Sequence, residues 1–348
     1  MRWIHTKAFV ATSVAIAVAA VGVVVGLLVT RGTPPLKPSP VASSAQSPEP
    51  VAQVHHQLRS PFTGEPIKSL QRVLAVKIDN IVYARPQTGL TAADIIYVLP
   101  VEGGLTRFMA IFSSHVPPII GPVRSARQTD INLLRQFGRP GFAFSGAQSY
   151  LLPYVERARI VDLYANRVGG YFRGSGRPAP YNLYARSSAL LAESKKASKA
   201  HNIGFTFGAA PPGGRVIKSK SVTYPAASYT FRWSPKIKHW LVWIDGSRAM
   251  TTGGRQLDPA TVVIQYTTVA RSPFKEYGVR PPFAQSLFNG HATILRDGRE
   301  YQALWRRPHW NHGTAFTTLN GKPMNFARGQ VWVLLVAKNK IGRFNESQ

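Results

Sequence analysis

Apolar and polar side chains alternate along several segments in the first half of the chain, and this period of two predicts β-strands. In LAVKIDN, Leu74, Val76 and Ile78 fall on one face, and Lys77 and Asp79 fall on the other. The segments ADIIYVLPVEGG and TRFMAIFSS predict two further strands joined by a pair of glycines, and GFAFSG predicts a fourth. We therefore expect a sheet in this half.

The period changes to that of a helix in GPVRSARQTDINLLRQFGRPG. Ile131 and Leu134, and the pair Leu133 and Phe137, recur at helical spacing, and the glycine and proline that follow are typical of a helix end. Ser125 precedes Gln128 by three residues, which is a capping-box spacing and predicts that Ser125 is the N-cap. A second surface helix is predicted in SSALLAESKKASKAHNIG.

Strand patterns dominate the second half. ASYTFRWSP and KHWLVWIDG predict a hairpin, and TVVIQYTTVA and GQVWVLLVAK predict buried strands. In GHATILRDGREYQALWRR, the Asp297-Gly298 pair predicts a two-residue hairpin turn. No internal repeat is present. The predicted fold class is α+β: an N-terminal mixed α/β domain at residues 58–210, followed by a β-rich C-terminal domain at residues 211–348.

The pattern before residue 58 is different. Residues 1–7 form a short basic segment, and residues 8–30 are an uncharged run long enough to span a bilayer. We expect a transmembrane helix that anchors the chain in the cytoplasmic membrane, with the N-terminus in the cytoplasm by the positive-inside rule and the body outside. A cleaved signal peptide is the alternative. Residues 31–57 are rich in proline and serine and predict an extended linker.

Charge narrows the classes of partner. The chain carries 43 Lys and Arg against 15 Asp and Glu, a formal net charge of +28, so anionic partners are expected. For a body outside the membrane these are anionic cell-wall polymer or peptidoglycan, and nucleic acid ranks below them. The chain has no cysteine, which excludes disulfides, thiolate metal sites and a cysteine nucleophile.

Candidate chemistry concentrates in one stretch of the first half. The predicted ligand-binding residues are Asp79, Asn80, Arg85, Asp94, Glu102, Arg107, Arg124, Ser125 and Arg127. The group has three interpretations: a structural network of ion pairs, an anion-binding site, or a pair of carboxylates for glycoside cleavage. If Ser125 caps a helix, the neighbouring arginines lie at the positive end of the helix dipole, where an anion is needed to compensate them.

Other motifs are weaker candidates. His55 and His56 lie in the linker, and His291, His309 and His312 show no metal-ligand spacing, so neither a metal nor a cofactor is predicted. The segment GAQSY lacks a nucleophile elbow. The segment RVGGYFRGSGRPAPYN predicts a flexible loop with aromatic and basic residues. Such a loop could cover sugar rings or bind acidic polymer, or it is a plain connecting loop.

The segments IDN, ARPQTGL, ADIIY, VEGGLTRFMAIF and IGPVRSAR stand in one order and spacing. Together they resemble the YerB-like family of bacterial exported, membrane-tethered proteins of unknown function. LDPATVVIQYTTV and GKPMNFARGQVWVLLV resemble the family's C-terminal half more loosely. The resemblance covers about residues 60–340 and implies a two-domain protein outside the cytoplasm. It supplies no catalytic residue, substrate or cofactor.

This chain departs from the family pattern in three places. It has no lipobox cysteine, so a transmembrane helix would replace a lipid anchor. Val98 follows Tyr97 where the family tends to carry an acidic residue, and Ala249–Thr251 replace a polar stretch. These losses favour binding over catalysis. We predict a protein that binds an anionic or glycan envelope ligand. The alternatives are a cell-envelope hydrolase that uses Asp79, Asp94 and Glu102, and a DNA-binding protein.

Overall fold

One sheet of eleven strands runs through both halves of the chain in the computed structural model, which describes residues 57–275 and 278–338. The predicted basic segment and transmembrane helix, residues 1–30, lie outside the described residues, as does the linker apart from residue 57. Among residues 57–275 and 278–338, no helix is long and apolar enough to cross a membrane.

Residues 57–210 contribute eight strands and three short helices. The strands are β1 (Leu74–Asp79), β2 (Ile95–Pro100), β3 (Thr106–Phe112), β4 (Ile119–Ile120), β5 (Gly141–Phe144), β6 (Val161–Tyr164), β7 (Tyr171–Arg173) and β8 (Leu183–Arg186). The helices are α1 (Gln128–Leu134), α2 (Leu152–Glu156) and α3 (Ser187–Glu193). Single 3₁₀ turns lie at Val82–Ala84, Leu90–Ala92, Glu102–Gly104 and Arg135–Phe137.

Residues 211–275 and 278–338 contribute strands alone. They are β9 (Arg215–Val216), β10 (Ser219–Tyr224), β11 (Ala227–Ser234), β12 (His239–Ile244), β13 (Ser247–Arg248), β14 (Thr261–Thr267), β15 (Val269–Arg271), β16 (Pro282–Ala284), β17 (Phe288–Arg296), β18 (Arg299–Arg307), β19 (Ala315–Thr318) and β20 (Val331–Ala337). The fold is thus mostly β, and the helical content expected of a mixed α/β first half is limited to short segments.

The last strand joins the two halves. The strand order of the large sheet is β19-β18-β17-β14-β20-β2-β3-β1-β5-β6, with β9 paired to β18. β20 lies between β14 and β2 and is parallel to both, so a strand from the end of the chain completes the sheet of the first half. Its run VWVLLV is continuously apolar because both faces of a central parallel strand are buried.

Each face of the sheet is covered by different elements. On one face, Val73 and Ala75 share a core with Ile131 and Leu134 of α1. On the other face, a second core contains residues of the antiparallel sheet β10-β11-β12-β13, such as Trp240. Both faces of β1 are therefore buried, including the position of Lys77.

The start of α1 differs from the sequence prediction. Its N-cap is Arg127, two residues after the predicted Ser125. The Asp130 carboxylate accepts a hydrogen bond from the Arg127 backbone N–H at 2.6 Å, which is the return half of a capping box. The predicted end is confirmed: a 3₁₀ turn ends at Phe137, and Gly138 adopts a φ of 73°.

Candidate functional site

Most of the predicted site residues lie at one edge of the large sheet. β14, β20, β2, β1, β5 and β6 run in the same direction, so their carboxyl ends meet there. We call the polar residues at this edge the carboxyl-edge cluster: Asp79, Asn80, Arg85, Glu102, Arg107, Arg124, Ser125 and Arg127. Asp79 ends β1, and Arg107 is its partner on β3, which starts at this edge. Ligand sites of open sheets with parallel strands form at such edges.

Asp94 is the predicted residue that the fold does not bring into the cluster. It precedes β2, whose other end, at Pro100, faces the start of β3. Its Oδ2 accepts backbone N–H groups of Ser113 at 2.6 Å and Ser114 at 2.9 Å. Burial raises the pKa of Asp94 to about 6, and these hydrogen bonds oppose that rise. Three carboxylates therefore do not share one site.

Two guanidinium groups share the carboxylate of Asp79. Arg124 Nε lies 2.8 Å from Asp79 Oδ2, and Arg107 Nε lies 4.0 Å from Oδ1. The Asp79 side chain is 5% exposed, and its Oδ1 also accepts the Asn80 backbone N–H at 2.9 Å. Burial lowers the pKa of Arg107 to about 10, the neighbouring Arg127 charge adds to that shift, and Asp79 opposes it. This pair of arginines carries one more positive charge than its carboxylate neutralises.

Several donors of the two arginines remain available. Within residues 57–275 and 278–338, neither Nη atom of Arg124 donates a hydrogen bond, and its side chain is 23% exposed. Arg107 donates from Nη1 to the Ser125 carbonyl at 3.0 Å, while its Nη2 has no hydrogen-bond partner in the same ranges. These N–H groups are arranged for an acceptor with negative charge.

The other arginines of the cluster hold the fold together. Arg127 Nε donates to both Glu102 oxygens, at 2.7 and 3.0 Å. Burial alone would raise the pKa of Glu102, but the charge and hydrogen bonds of Arg127 outweigh it, so the pKa of Glu102 is lowered. Arg85 donates to the Asn80 carbonyl at 2.6 Å and pairs with Asp245 at 2.8 Å. These two ion pairs are of the kind expected if this part of the cluster is a structural network.

A buried ion pair that the sequence did not indicate lies beneath the cluster. Lys77 Nζ lies 2.7 Å from Asp130 Oδ1, and both side chains are 0% exposed. The available signal was the position of Lys77 two residues before Asp79, on the same face of a strand that is otherwise apolar. Two further residues that the sequence did not indicate bind Asn80: its Nδ2 donates to Tyr229 Oη at 2.6 Å and to Thr106 Oγ1 at 3.2 Å.

A cleft of about 590 Å³ adjoins the cluster at Glu102. It lies at the carboxyl ends of β2 and β20, and its walls are mostly apolar, with Tyr224 and Leu335 among them. Arg271 and Arg280 add positive charge. The cleft is thus an extension of the same electropositive edge.

The histidines do not form a metal centre in the described part of the chain. His309 and His312 lie with ring centroids 5.7 Å apart. Across residues 57–275 and 278–338, no three His, Asp or Glu side chains are grouped so as to hold a metal ion. His55 and His56 lie outside these ranges.

Comparison with known proteins identifies related chains. Residues 62–202 match the family model "Protein of unknown function (DUF3048) N-terminal domain", and residues 220–333 match the corresponding C-terminal domain. The two models end and begin on either side of the predicted domain boundary at residue 210.

A relative and a solved structure show what this chain is similar to in sequence and in structure. "Putative lipoprotein YerB" of Bacillus subtilis (strain 168) is 41% identical over 99 residues, which are 27% of this chain and 29% of YerB. The match therefore spans less than a third of the relative's length. The crystal structure of the YerB protein from Bacillus subtilis superposes with a TM-score of 0.69 at 22% identity, over 80% of this chain and 97% of that one. This second likeness shows a shared fold.

Proposed function

We propose that this chain, which belongs to the DUF3048 family, binds an anionic group of a cell-envelope polymer at the carboxyl-edge cluster, without catalysis. The observation that carries the proposal is the sharing of Asp79 by Arg107 and Arg124. An anion placed against the Arg124 Nη groups neutralises the remaining charge and accepts hydrogen bonds that no described residue accepts.

The partial burial of these arginines strengthens their interaction with an anion. Charge-assisted hydrogen bonds contribute about 1.5–3 kcal/mol each, and they are stronger where water is excluded. Arg107 is desolvated enough to lower its pKa, so a second negative charge nearby favours its ionised form. The seven-residue α1 is too short to supply the attraction, and its first turn is already compensated by Asp130.

We further propose that the body lies outside the cytoplasmic membrane, held there by a single transmembrane helix at residues 8–30. The support is the uncharged run after a basic segment, together with the relative YerB, which is described as a putative lipoprotein. A net charge of +28 suits a surface that meets anionic wall polymers and lipid headgroups.

The hydrolase alternative finds less support in the geometry. A glycosidase needs two carboxyl groups at a defined separation, one of them with a raised pKa to act as the acid. Asp94 has the raised pKa but lies at the other end of β2. Glu102 is held ionised by Arg127, which makes it a poor acid. Binding without turnover is therefore the function that we propose.

Pull-down experiments test this proposal. The protein is incubated with peptidoglycan, teichoic-type polymer, anionic liposomes and DNA at several salt concentrations, alongside the variant Arg124→Gln. Arg232→Gln is the matched control, because Arg232 is exposed and lies on β11, and its loss changes the net charge equally. We expect wall polymer to be retained by the wild type and the control and lost from Arg124→Gln. Preferential retention of DNA, or release of wall fragments, would favour the alternatives.

A further inference from the structure

We infer that the anion bound by Arg124 is carried by a saccharide, whose ring packs on the exposed face of Tyr83. This inference rests on the proposed function, because it names the class of ligand for the same site. Tyr83 lies in the 3₁₀ turn that follows β1, and it is 64% exposed. A tyrosine ring that is open to solvent, and that contacts Arg124 through Tyr181, suits a ligand with both an apolar face and a negative charge.

Tyr83 and Tyr181 form a pair of rings next to Arg124. Their centroids are 5.6 Å apart, with an angle of 35° between the ring planes. Arg124 Cζ lies 5.8 Å from the Tyr181 centroid, so Tyr181 contacts both Tyr83 and the guanidinium of Arg124. Such aromatic and cation contacts fix the positions of the groups relative to each other.

The segment that carries Tyr83 is held at both of its sides. Arg177, from the loop that carries Tyr181, donates to the carbonyls of Ala84 and Pro86, each at 2.7 Å. On the other side, Arg85 is held by the Asn80 carbonyl and by Asp245. One interpretation of the sequence is that this loop covers sugar rings. Tyr83 and Tyr181 provide the aromatic rings for such a contact. A platform fixed before binding loses little conformational entropy when a ligand packs on it.

A saccharide fits this arrangement better than a nucleic acid does. A pyranose ring presents a face of C–H groups that packs against the negative face of an aromatic ring, and its rim of hydroxyl groups can hydrogen-bond to guanidinium donors. Single-stranded nucleic acid is bound by successive aromatic rings along a groove. Here the two rings are tilted against each other and contact each other, and Tyr83 is the one of the pair that is exposed. The geometry favours one sugar ring with one acidic substituent.

Three small probes separate the contributions of ring and charge. Trigalacturonate carries sugar rings and three carboxylates, maltotriose carries rings without charge, and tricarballylate carries three carboxylates without rings. Each is titrated by calorimetry into the wild type, Tyr83→Leu and Arg124→Gln. Phe288→Leu is the control, because Phe288 is 65% exposed and β17 is separated from β1 by four strands. Melting temperatures verify that each variant is folded.

We expect the wild type to bind trigalacturonate about tenfold more tightly than tricarballylate, and maltotriose more weakly than trigalacturonate. Tyr83→Leu should lose about that tenfold for trigalacturonate and leave tricarballylate unchanged. Arg124→Gln should weaken both anions. Unchanged trigalacturonate affinity in Tyr83→Leu would overturn the saccharide inference alone. Unchanged affinities in Arg124→Gln would overturn the proposed function itself.

Discussion

Arg124 Nε lies 2.8 Å from Asp79 Oδ2, yet neither Nη group of Arg124 donates to any residue within 57–275 and 278–338. One edge of the guanidinium is thus used for the fold and the other is left for a ligand. Arg107 supports the same carboxylate from 4.0 Å, so Asp79 does not depend on Arg124 alone. This redundancy distinguishes Arg124 from the other arginines of the carboxyl-edge cluster and leads to different expectations for their variants.

Loss of Lys77 should destabilise the protein strongly. Lys77→Met leaves the Asp130 carboxylate buried, with only the Arg127 backbone N–H as a partner among the residues that the structure describes. An uncompensated buried charge costs about 3–5 kcal/mol. The free energy of unfolding, measured in denaturant, should fall by that amount. The double variant Lys77→Met, Asp130→Asn removes both charges and keeps an acceptor for Arg127, so it should recover most of the loss. A double variant as unstable as the single one would contradict this explanation.

Arg127→Ala should lower the melting temperature more than Arg124→Gln does. Arg127 makes both hydrogen bonds to Glu102, and removing bonds to a charged group costs about 1.5–3 kcal/mol. After Arg124→Gln, Asp79 retains Arg107 and the Asn80 N–H, and no hydrogen bond from Arg124 to Asp79 is lost, so we expect a loss below about 1 kcal/mol. An equal or larger fall in melting temperature for Arg124→Gln would assign Arg124 to the scaffold.

Asp94 should make stability depend on pH between about 4 and 6. Its pKa is raised to about 6 in the folded protein because burial disfavours the carboxylate, so the folded state retains the proton longer than the unfolded state. The stability that protonated Asp94 contributes is therefore fully present below the pKa that this residue has in the unfolded chain. It is lost as the pH rises through 6, which lowers the free energy of unfolding by about 3 kcal/mol. Asp94→Asn can keep the acceptor for Ser113 and Ser114 without titrating. The difference in unfolding free energy between the two proteins should grow with pH in this window, and parallel curves would contradict the assignment.

The position of the body can be tested with reporters. A phosphatase that is active only outside the cytoplasm, fused after Gln348, should be active in cells, because a basic segment precedes the apolar run of residues 8–30. A second fusion to a reporter that works only in the cytoplasm should be inactive. The opposite result for the pair would place the body in the cytoplasm and make nucleic acid the leading partner.

Local elements of the fold could be predicted from the sequence, and their arrangement could not. Alternating side chains marked β1 and the hairpin of β11 and β12, and the predicted Asp297-Gly298 turn is confirmed between β17 and β18. The insertion of β20 between β14 and β2 depends on packing between residues more than 200 positions apart, for which an apolar run carries no signal.

The sequence also could not show which of the candidate site residues lie together, for the same reason. Asp79 and Glu102 lie at one edge because β1 and β2 are parallel, and Asp94 lies at the other because it precedes β2. The spacing of these residues along the chain does not show which edge of the sheet each one occupies unless the strand directions are known. The cap at Arg127 was also missed, since Asp130 supplies the carboxylate from inside the helix and an arginine is not a recognised capping residue.

The central claim is that Arg107 and Arg124 together form an anion site, and the most direct test is to observe their side chains. Protein labelled with ¹⁵N is titrated with inorganic phosphate at low ionic strength, and the Nε–Hε signals of the arginines are followed by NMR. We predict that the Arg107 and Arg124 signals shift together along one saturating curve while the exposed Arg232 does not respond. Shifts spread evenly over the exposed arginines, without saturation at Arg107 and Arg124, would contradict the account.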